Sequence, residues 1–462
     1  MTVPSMVPPS ACLRVAWFSP MPPSRSGIAA YSDELLPLLR DRGMEIDVYA
    51  EPPPGTPPGD TTARDFVWTA RRRPYDLTVY QLGNAAVHDY MWGYLFRYPG
   101  LVVLHDAQVH QARAQGLLQR YRPRRDDYLA EFAANHPAAP PDLALLVAEG
   151  LGGSLFGHWP HIRLVLQAAR LMAVHSVALA ARLHTEYGVE VDAVSMGVAD
   201  PLGAPGATTP AALRARYGLP DDAIVVGAYG GVTPEKRLPE VIAALAALAE
   251  EQPRLHLLVV GAPVAHYDVV ADAAARGIGA RVHVTGFVPD AELPAHLAAT
   301  DICVCLRWPT SGETSASWLR AIAAGRATII TDLSHQPELP VADPRNWQPL
   351  GPAGQPPMAL AVPVLDERHA LRCAIDSLAR SPERRARLGA AARHYWEAHH
   401  TLAAMADAYV DVLRRAAQRP APIVTLPAHL RDEGDAQVAA LLAPFGLNAP
   451  AIMGGDRRCR SS

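Results

Sequence analysis

The chain has 462 residues, of which 49% are hydrophobic and 19% charged, with a formal net charge of −4. A domain commonly takes about 100 to 200 residues, so this length suggests two to four domains. The balanced charge offers no basic surface for nucleic acid, and no apolar run is long enough to span a bilayer.

The first nineteen residues lack the charged start and long apolar core of a signal peptide. The five cysteines are scattered, and Cys303 and Cys305 alternate on one predicted strand, which suits buried thiols better than a disulfide framework or a metal site. We therefore expect a cytoplasmic protein without an integral membrane segment. This expectation leaves room for peripheral contact with the inner membrane.

The first half of the chain alternates strand and helix signals. Between the first two strands, the stretch IAAYSDELLPLLRDRG has apolar residues at helical spacing. The stretch from 108 to 170 is mostly helical and has no clear divisions. The predicted strands are 13–19, 44–50, 76–82 and 100–106, followed by two weaker ones at 170–176 and 189–195.

The segment 199–210 is rich in proline, glycine and threonine and has no period, which is typical of a linker. The alternation then restarts, and it predicts a second α/β unit with a parallel sheet covered on both faces. Two such units imply a cleft between them, although one large mixed sheet is an alternative. The predicted strands are 223–230, 255–262, 281–287, 301–307 and 327–333.

Beyond residue 366 the pattern is strongly helical, and beyond 418 it becomes proline-rich. We therefore divide the chain into four parts. The first domain is predicted at 1–200, the second at 201–395, a returning helix at 396–420, and a partly disordered extension at 421–462.

Unusual residues gather where the second domain's strands end, which is where open parallel sheets bind ligands. Gly230 and Gly231 follow one strand, and Lys236 and Arg237 come just before the next helix. A bare backbone turn with two cations at a helix start can hold a diphosphate, although tight turns need glycines in any case.

A second strand leads into the loop RWPTSGETSAS, which contains Glu313 and opens a helix with the small residues 314–317. This hydroxyl-rich start is consistent with an ordinary helix cap or with a site where a phosphate meets free backbone amides. The loop alone does not separate these two interpretations.

Four segments resemble glycosyltransferase family 4, and the resemblance covers roughly residues 13–415 in pieces. It implies two Rossmann-like α/β domains with parallel sheets facing across a cleft (GT-B), with C-terminal helices returning toward the first domain. It also implies a retaining mechanism without metal or cofactor, an acceptor in the first domain and a UDP- or GDP-sugar in the second. The segments are FSPMPPSRSGIAAYSDELLPLLRDRG, YGGVTPEKRLPEVIAAL, VTGFVPDAEL and DICVCLRWPTSGETSASWLRAIAAG.

On the donor side, Lys236 matches the family's diphosphate-binding lysine. The family's arginine, five positions earlier, is replaced here by Gly231, so either Arg237 substitutes for it or the cation is missing. The donor-binding residues implied by the resemblance are Gly230, Gly231, Lys236, Arg237, Phe287, Val288, Thr314, Ser315 and Ser317.

The family carries two glutamates eight positions apart, and this chain departs from that pattern. The first falls on Gly312, one step from Glu313, and the second falls on Arg320. We take Glu313 as the displaced first glutamate, a catalytic group facing the sugar, with helix capping as the alternative. Ribose recognition stays open, because arginine cannot accept a hydrogen bond.

In the first domain, Gly27 and Ile28 match the family's glycine loop near the phosphates and the acceptor. His105 ends a strand where the family often has a histidine near the transferred sugar, so it is a catalytic candidate. Asn84 could line the acceptor side, and His88 is expected in a surface turn. His175 and Ser176 are expected to be packing or capping groups.

The sequence therefore predicts a retaining glycosyltransferase that moves a hexose from a nucleoside diphosphate to a hydroxyl acceptor, such as a glycan, a lipid-linked sugar or a small molecule. The alternatives are a catalytically silent nucleotide-sugar-binding protein and a sugar-nucleotide epimerase. A dehydrogenase is disfavoured, because neither first-strand turn has the dinucleotide-binding glycine pattern.

Overall fold

The computed structural model describes residues 12–51, 62–120, 124–153, 155–203, 208–264, 267–431 and 435–447. Within these ranges the strands form two separate sheets, one in each half of the chain. The alternative of one large mixed sheet is therefore wrong. Residues 204–207 of the predicted linker and residues 448–462 of the C-terminal extension lie outside the described part.

The first domain is built on a six-stranded parallel sheet in the order β2-β1-β3-β4-β5-β6. Its four central strands are almost wholly buried, as expected for a sheet covered by helices on both faces. All six predicted strands are confirmed. They are β1 Leu13–Phe18, β2 Met44–Tyr49, β3 Leu77–Leu82, β4 Leu101–Leu104, β5 Leu171–Val174 and β6 Val191–Ala193.

Helices cover this sheet, and five of them fill the long connection between β4 and β5. The first helix buries Leu35, Leu36 and Leu39 against the sheet, which its helical spacing predicts. The helices are α1 Gly27–Asp41, α2 Phe66–Arg72, α3 Met91–Leu95, α4 His110–Gln115, α5 Arg125–Asn135, α6 Asp142–Ala148, α7 Leu155–His158, α8 Arg163–Ala168 and α9 Val177–Tyr187.

The second domain has an eight-stranded sheet in the order β13-β12-β14-β11-β10-β7-β8-β9, parallel except for the pairing of β13 with β12. Its first five strands confirm the prediction. The last three were not predicted, since two of them have only two residues and therefore no readable period. The strands are β7 Ile224–Tyr229, β8 Leu255–Val260, β9 Val282–Val284, β10 Ile302–Cys305, β11 Ala327–Thr331, β12 Val341–Ala342, β13 Pro349–Leu350 and β14 Ala359–Val362.

The remaining helices cover the second sheet and then lead back to the first domain. They are α10 Pro210–Arg216, α11 Leu238–Ala247, α12 Val269–Ala275, α13 Leu293–Ala298, α14 Ala316–Ala323, α15 Glu367–Arg380, α16 Pro382–His399, α17 Leu402–Ala417, α18 Ala428–Arg431 and α19 Asp435–Leu442.

The chain passes between the domains twice, and the two passages lie side by side. The backbone N–H of Val198 donates to the carbonyl of His400 at 3.0 Å, and the His400 ring lies 2.8 Å from the carbonyl of Met196. After this point α17 packs against α1, where the hydroxyls of Tyr409 and Tyr31 are 2.6 Å apart. The returning helix therefore belongs structurally to the first domain.

The carboxyl edges of the two sheets also touch. The backbone N–H of Ala107, three residues after β4, donates to the carbonyl of Ser311 at 2.6 Å. The next residue, Gly312, has a φ of +76° and lies against the Ala107 methyl group. This contact brings the strand ends of both domains to one region, where the predicted site residues lie.

Candidate active site

Lys236 is at the centre of the predicted donor side. Its ammonium group donates to the carbonyl of Tyr229, the last residue of β7, and lies directly over Gly230. Gly230 has a φ of +90°, and a β-carbon there would collide with the ammonium and approach the Ser317 hydroxyl at 3.4 Å. The structure thus brings together Gly230, Lys236 and Ser317, three of the predicted donor-binding residues.

A second cation, Arg307, reaches this point from the end of the neighbouring strand β10, and sequence reasoning missed it. Burial, followed by the charge of Arg307, lowers the pKa of Lys236 to about 8. Within the described residues, the only carboxylate paired with the Arg307 side chain is that of Glu313. The terminal nitrogens of Arg307 have no partner there, so they remain available to an anionic ligand.

The composition also singles out Lys236, which the sequence predicts at the donor site. It is the only lysine among the 462 residues, beside 41 arginines. The corresponding signal for Arg307 is its place just after a buried strand, the position that the other strand-end candidates share.

Glu313 is held in the loop before α14 by three contacts. One of its oxygens accepts hydrogen bonds from the Thr310 hydroxyl at 2.9 Å and the Ser311 backbone N–H at 2.7 Å. Its other oxygen lies 2.9 Å from Nε of Arg307. The cap of α14 is Ser315, whose hydroxyl accepts from the Trp318 N–H at 3.3 Å, so helix capping does not account for Glu313.

The remaining donor-side residues occupy different positions around this loop. Thr314 is half-buried, and Gly231 is exposed just after Gly230. Phe287 is 52% exposed, and the guanidinium of Arg25 from the first domain lies 4.5 Å from its ring centre. Val288, the next residue, packs against buried apolar residues of the second domain. The aromatic face of Phe287 is therefore covered by a cation from the first domain.

Arg237 takes part in a structural ion pair. Its guanidinium pairs with Glu367 at the start of α15, and Glu240 lies 3.7 Å away. Arg237 and Glu240 also line a cavity of about 260 Å³ to which neither Gly230 nor Lys236 contributes. The second cation beside Lys236 is accordingly Arg307.

Arg320, at the position of the family's second glutamate, points to the first domain. Its guanidinium lies 3.2 Å from the carboxylate of Glu34 on α1, with both side chains half-buried. Arg320 lies on the same helix as Ser317, so this ion pair joins that helix to the first domain.

On the first-domain side, Gly27 is exposed at the start of α1, and an added β-carbon would meet nothing within 4 Å. The Ile28 N–H donates to the Ser26 hydroxyl at 3.3 Å, which caps the helix. The side-chain oxygen of Asn84 accepts from the Ala112 N–H at 3.0 Å and so holds the start of α4.

His105 is buried in a hydrogen-bond network. Its Nε2 lies 2.8 Å from Gln81 Oε1, its Nδ1 lies 3.2 Å from Nε2 of His175, and the ring of Tyr31 packs on it edge to face. Burial, followed by the charges of His175 and His88, lowers its pKa well below the usual value, so the ring is neutral at pH 7. Both ring nitrogens already have partners inside the first domain.

The structure also places the other predicted polar residues. His88 is 1% exposed, with its Nδ1 3.0 Å from the carbonyl of Gln81. The expectation of a surface turn for His88 is wrong, because the short turn after β3 folds inward beneath Gly83. Ser176 caps α9 by accepting from the Leu179 N–H, as expected, and His175 is buried.

Across the described ranges, no helix is both long and apolar enough to cross a membrane. In that same part of the chain, no cluster of three or more His, Cys, Asp or Glu side chains could hold a metal ion.

The chain is similar to known proteins in sequence and in fold. Residues 211–346, which include Lys236, Arg307 and Glu313, match the family model described as glycosyl transferases group 1. Over 114 residues the chain is 34% identical to a 2-deoxystreptamine glucosyltransferase from Streptomyces kanamyceticus. That alignment covers 24% of this chain and spans only 29% of that enzyme's length.

Two solved structures match nearly the whole described fold. Sucrose-phosphate synthase from Thermosynechococcus elongatus superposes with a TM-score of 0.60 at 17% identity, covering 87% of this chain and 98% of that one. HepE from Anabaena, solved in complex with UDP-glucose, superposes with a TM-score of 0.56 at 16% identity, covering 87% and 99%. The chain therefore has the GT-B fold, and the segment that matches the group 1 model carries the two adjacent cations.

Proposed function

We propose that this protein is a retaining glycosyltransferase that moves a hexose from a nucleoside diphosphate to a hydroxyl acceptor. The observation that carries this proposal is the Lys236 ammonium held over the bare backbone of Gly230 with the Ser317 hydroxyl nearby, and with Arg307 close enough for its charge to lower the pKa of the lysine. Two cations at adjacent strand ends, beside the first turn of a helix, suit the two negative charges of a diphosphate. The match of residues 211–346 to a glycosyl transferase model supports the same assignment.

Cleavage of the bond between sugar and phosphate leaves negative charge on the diphosphate and positive charge on the sugar ring. Lys236 and Arg307 would stabilise the first charge, because they are already held in place by the fold. Glu313, fixed by Thr310, Ser311 and Arg307, would stabilise the second. The family resemblance implies that the acceptor attacks on the leaving-group face and passes its proton to a phosphate oxygen.

HepE was solved with UDP-glucose, and the curated relative is named a glucosyltransferase. We therefore propose UDP-glucose as the first donor to test, with GDP-sugars as the second class. The acceptor is a hydroxyl compound bound on the first-domain side of the cleft.

The proposal is tested by calorimetry with UDP, GDP, ADP and their sugars, followed by a measurement of nucleoside diphosphate release. A ligand present at 100 times its Kd stabilises the fold by about 2.7 kcal/mol, which a thermal-shift screen detects. Binding without release of diphosphate would indicate the silent binding protein. An altered sugar still attached to the nucleotide would indicate an epimerase.

A matched pair of variants tests the second cation. Arg307→Ala should weaken diphosphate binding by about tenfold or more, since a hydrogen bond to a charged group contributes about 1.5–3 kcal/mol. Arg237→Ala should lower stability through the loss of its pair with Glu367 and leave diphosphate affinity close to wild type. The reverse result would return the donor role to Arg237.

A further inference from the structure

Asp106 presents a free carboxylate oxygen where the two domains meet. It lies two residues after β4 and directly before Ala107, which bonds to Ser311 of the second domain. Its Oδ2 accepts a hydrogen bond from the Asn84 N–H at 2.7 Å. Among the residues that the structure describes, its Oδ1 has no partner, and it is not sealed from solvent.

The carboxylate is held tightly on its inner side. A β-carbon built on Gly83 would lie 2.6 Å from Cδ1 of Ile28 and 3.1 Å from both Asp106 Oδ2 and His88 Nε2. A side chain at this position would therefore press on Ile28, Asp106 and His88. The bonded oxygen is therefore fixed against the first domain.

The charged groups that face Asp106 come mostly from the second domain. Burial raises the pKa of Asp106 to about 6, the bond from Asn84 opposes this rise, and the carboxylates of Glu313 and Glu235 add to it. The positive charge of Arg307 acts in the opposite direction. The nearby His88 is neutral at pH 7, because burial lowers its pKa to about 4.

We propose that Oδ1 of Asp106 accepts a hydrogen bond from a hydroxyl group of the transferred hexose, which then lies between Asp106 and Glu313. This inference rests on the proposed function. A carboxylate would repel the diphosphate, whereas neutral sugar hydroxyls are donors that a carboxylate binds by charge-assisted hydrogen bonds. Asp106 is in this sense a sugar-binding residue of the first domain.

The test measures the ratio of two affinities by calorimetry, that of a nucleotide sugar and that of the bare nucleoside diphosphate. The probes are UDP-glucose with UDP and GDP-mannose with GDP, and the tighter-binding pair is used. Asp106→Asn retains an oxygen for the Asn84 N–H and removes the charge. The variant should weaken nucleotide-sugar binding relative to diphosphate binding by about tenfold or more.

Asp76 provides a matched control in the same sheet. Its carboxylate accepts the Arg14 N–H at 2.7 Å, in the same way that Asp106 accepts that of Asn84, but it precedes β3 and so lies at the opposite edge. Asp76→Asn should leave the affinity ratio unchanged. If the Asp106→Asn substitution disturbed the folded structure, the variant would also lose diphosphate affinity or melt at a lower temperature.

The wild-type protein gives an independent readout through pH. Protonation of Asp106 removes the charged acceptor, so the affinity for the nucleotide sugar should fall as pH falls from 7 to 5. The nucleotide-sugar affinity of Asp106→Asn should not change over this range, because the diphosphate of a nucleotide sugar has no terminal phosphate to protonate there.

Three results would overturn the inference, and they are distinguishable. An unchanged ratio in Asp106→Asn with intact diphosphate binding removes the sugar contact and leaves the proposed function standing. A wild-type affinity for the nucleotide sugar that stays constant from pH 7 to 5 does the same if the variant fails to fold. A wild-type protein that binds no nucleotide or nucleotide sugar removes the proposed function and this inference with it.

Discussion

At the scale of single residues, the proposed donor side depends on one lysine, and its surroundings lower the pKa of that lysine. The Lys236 ammonium is held over Gly230 and beside Arg307, and burial is the largest cause of its lowered pKa. An anionic ligand would supply the missing negative charge. Because the fold already holds this ammonium in place, we propose that it is preorganised for such a ligand.

The first prediction is a pKa near 8 for Lys236 in the free protein, against a usual value of 10.5. Reductive ¹³C-methylation, which retains the charge, labels only the α-amino group and the single lysine, so an NMR titration measures this pKa directly. Lys236→Arg identifies the signal by removing it. A titration midpoint near 10 would contradict the buried position.

This shift also fixes the sign of two pH effects. Between about pH 8 and 10.5 the unfolded chain retains a proton that the folded lysine has lost, so Lys236 makes the free protein more stable as pH rises. Diphosphate affinity should fall over the same interval, because the ammonium charge disappears. Bound UDP should raise the pKa of Lys236.

The second prediction concerns Glu313→Gln. We expect turnover to fall by about a hundredfold or more, the scale of losing one electrostatic stabiliser of a transition state. Diphosphate affinity should stay equal or increase, because Arg307 loses its neutralising partner. Glu292→Gln, which alters an exposed pair with Arg216, is the control that should keep normal turnover. Near-normal turnover in Glu313→Gln would remove it from catalysis.

At the scale of elements, the start of α14 divides its tasks among neighbouring residues. Ser315 satisfies a backbone N–H of the helix, Ser317 faces Lys236, and Arg320 pairs with Glu34 of the first domain. The run of small hydroxyl residues therefore caps the helix at one position and lies beside Gly230 and Lys236 at another. The cap at Ser315 is thus compatible with the proposed phosphate contact at Ser317.

The third prediction separates these tasks by stability. Ser315→Ala should lower the free energy of unfolding by about 1 kcal/mol, the usual cost of losing a serine cap, measured by urea denaturation. Thr314→Ala is the control, since the Thr314 side chain makes no hydrogen bond within the described ranges. Equal stability of the two variants would mean that Ser315 does not act as the cap.

At the scale of the whole molecule, the first domain is completed by a helix from the C-terminal part of the chain. Helix α17 comes from beyond the second domain and packs on α1, where Tyr409 and Tyr31 bond to each other in the core. Gln81 adds a contact to Tyr409 at 3.4 Å. Both hydroxyls are neutral, because burial raises their pKa values.

The fourth prediction is that these tyrosines are energetically coupled. Tyr409→Phe leaves the buried Tyr31 hydroxyl without this partner, which should cost about 1–3 kcal/mol of unfolding free energy. The double variant with Tyr31→Phe should cost less than the sum of the two single variants, with a coupling of about 0.5–3 kcal/mol in urea denaturation. Additive costs would show that the bond does not hold α17 to α1.

The sequence by itself determined the alternation of strands and helices, the two α/β units and the glycine turn that leads to Lys236. These features are local, because apolar periodicity and turn glycines are set by residues a few positions apart. For the same reason the two-residue strands β12 and β13 could not be predicted. The burial of the His88 side chain could not be predicted either, since it depends on segments that are distant in the sequence and pack around it.

Only the tertiary structure decided which charges meet. Arg237 pairs with Glu367, 130 positions away, and Arg320 pairs with Glu34, 286 positions away. Arg307, rather than Arg237, is the second cation beside Lys236. The reason is that β10 lies next to β7 in the sheet, which puts the two strand ends side by side. Strand order is fixed by packing over the whole domain, so no local pattern in the sequence records it.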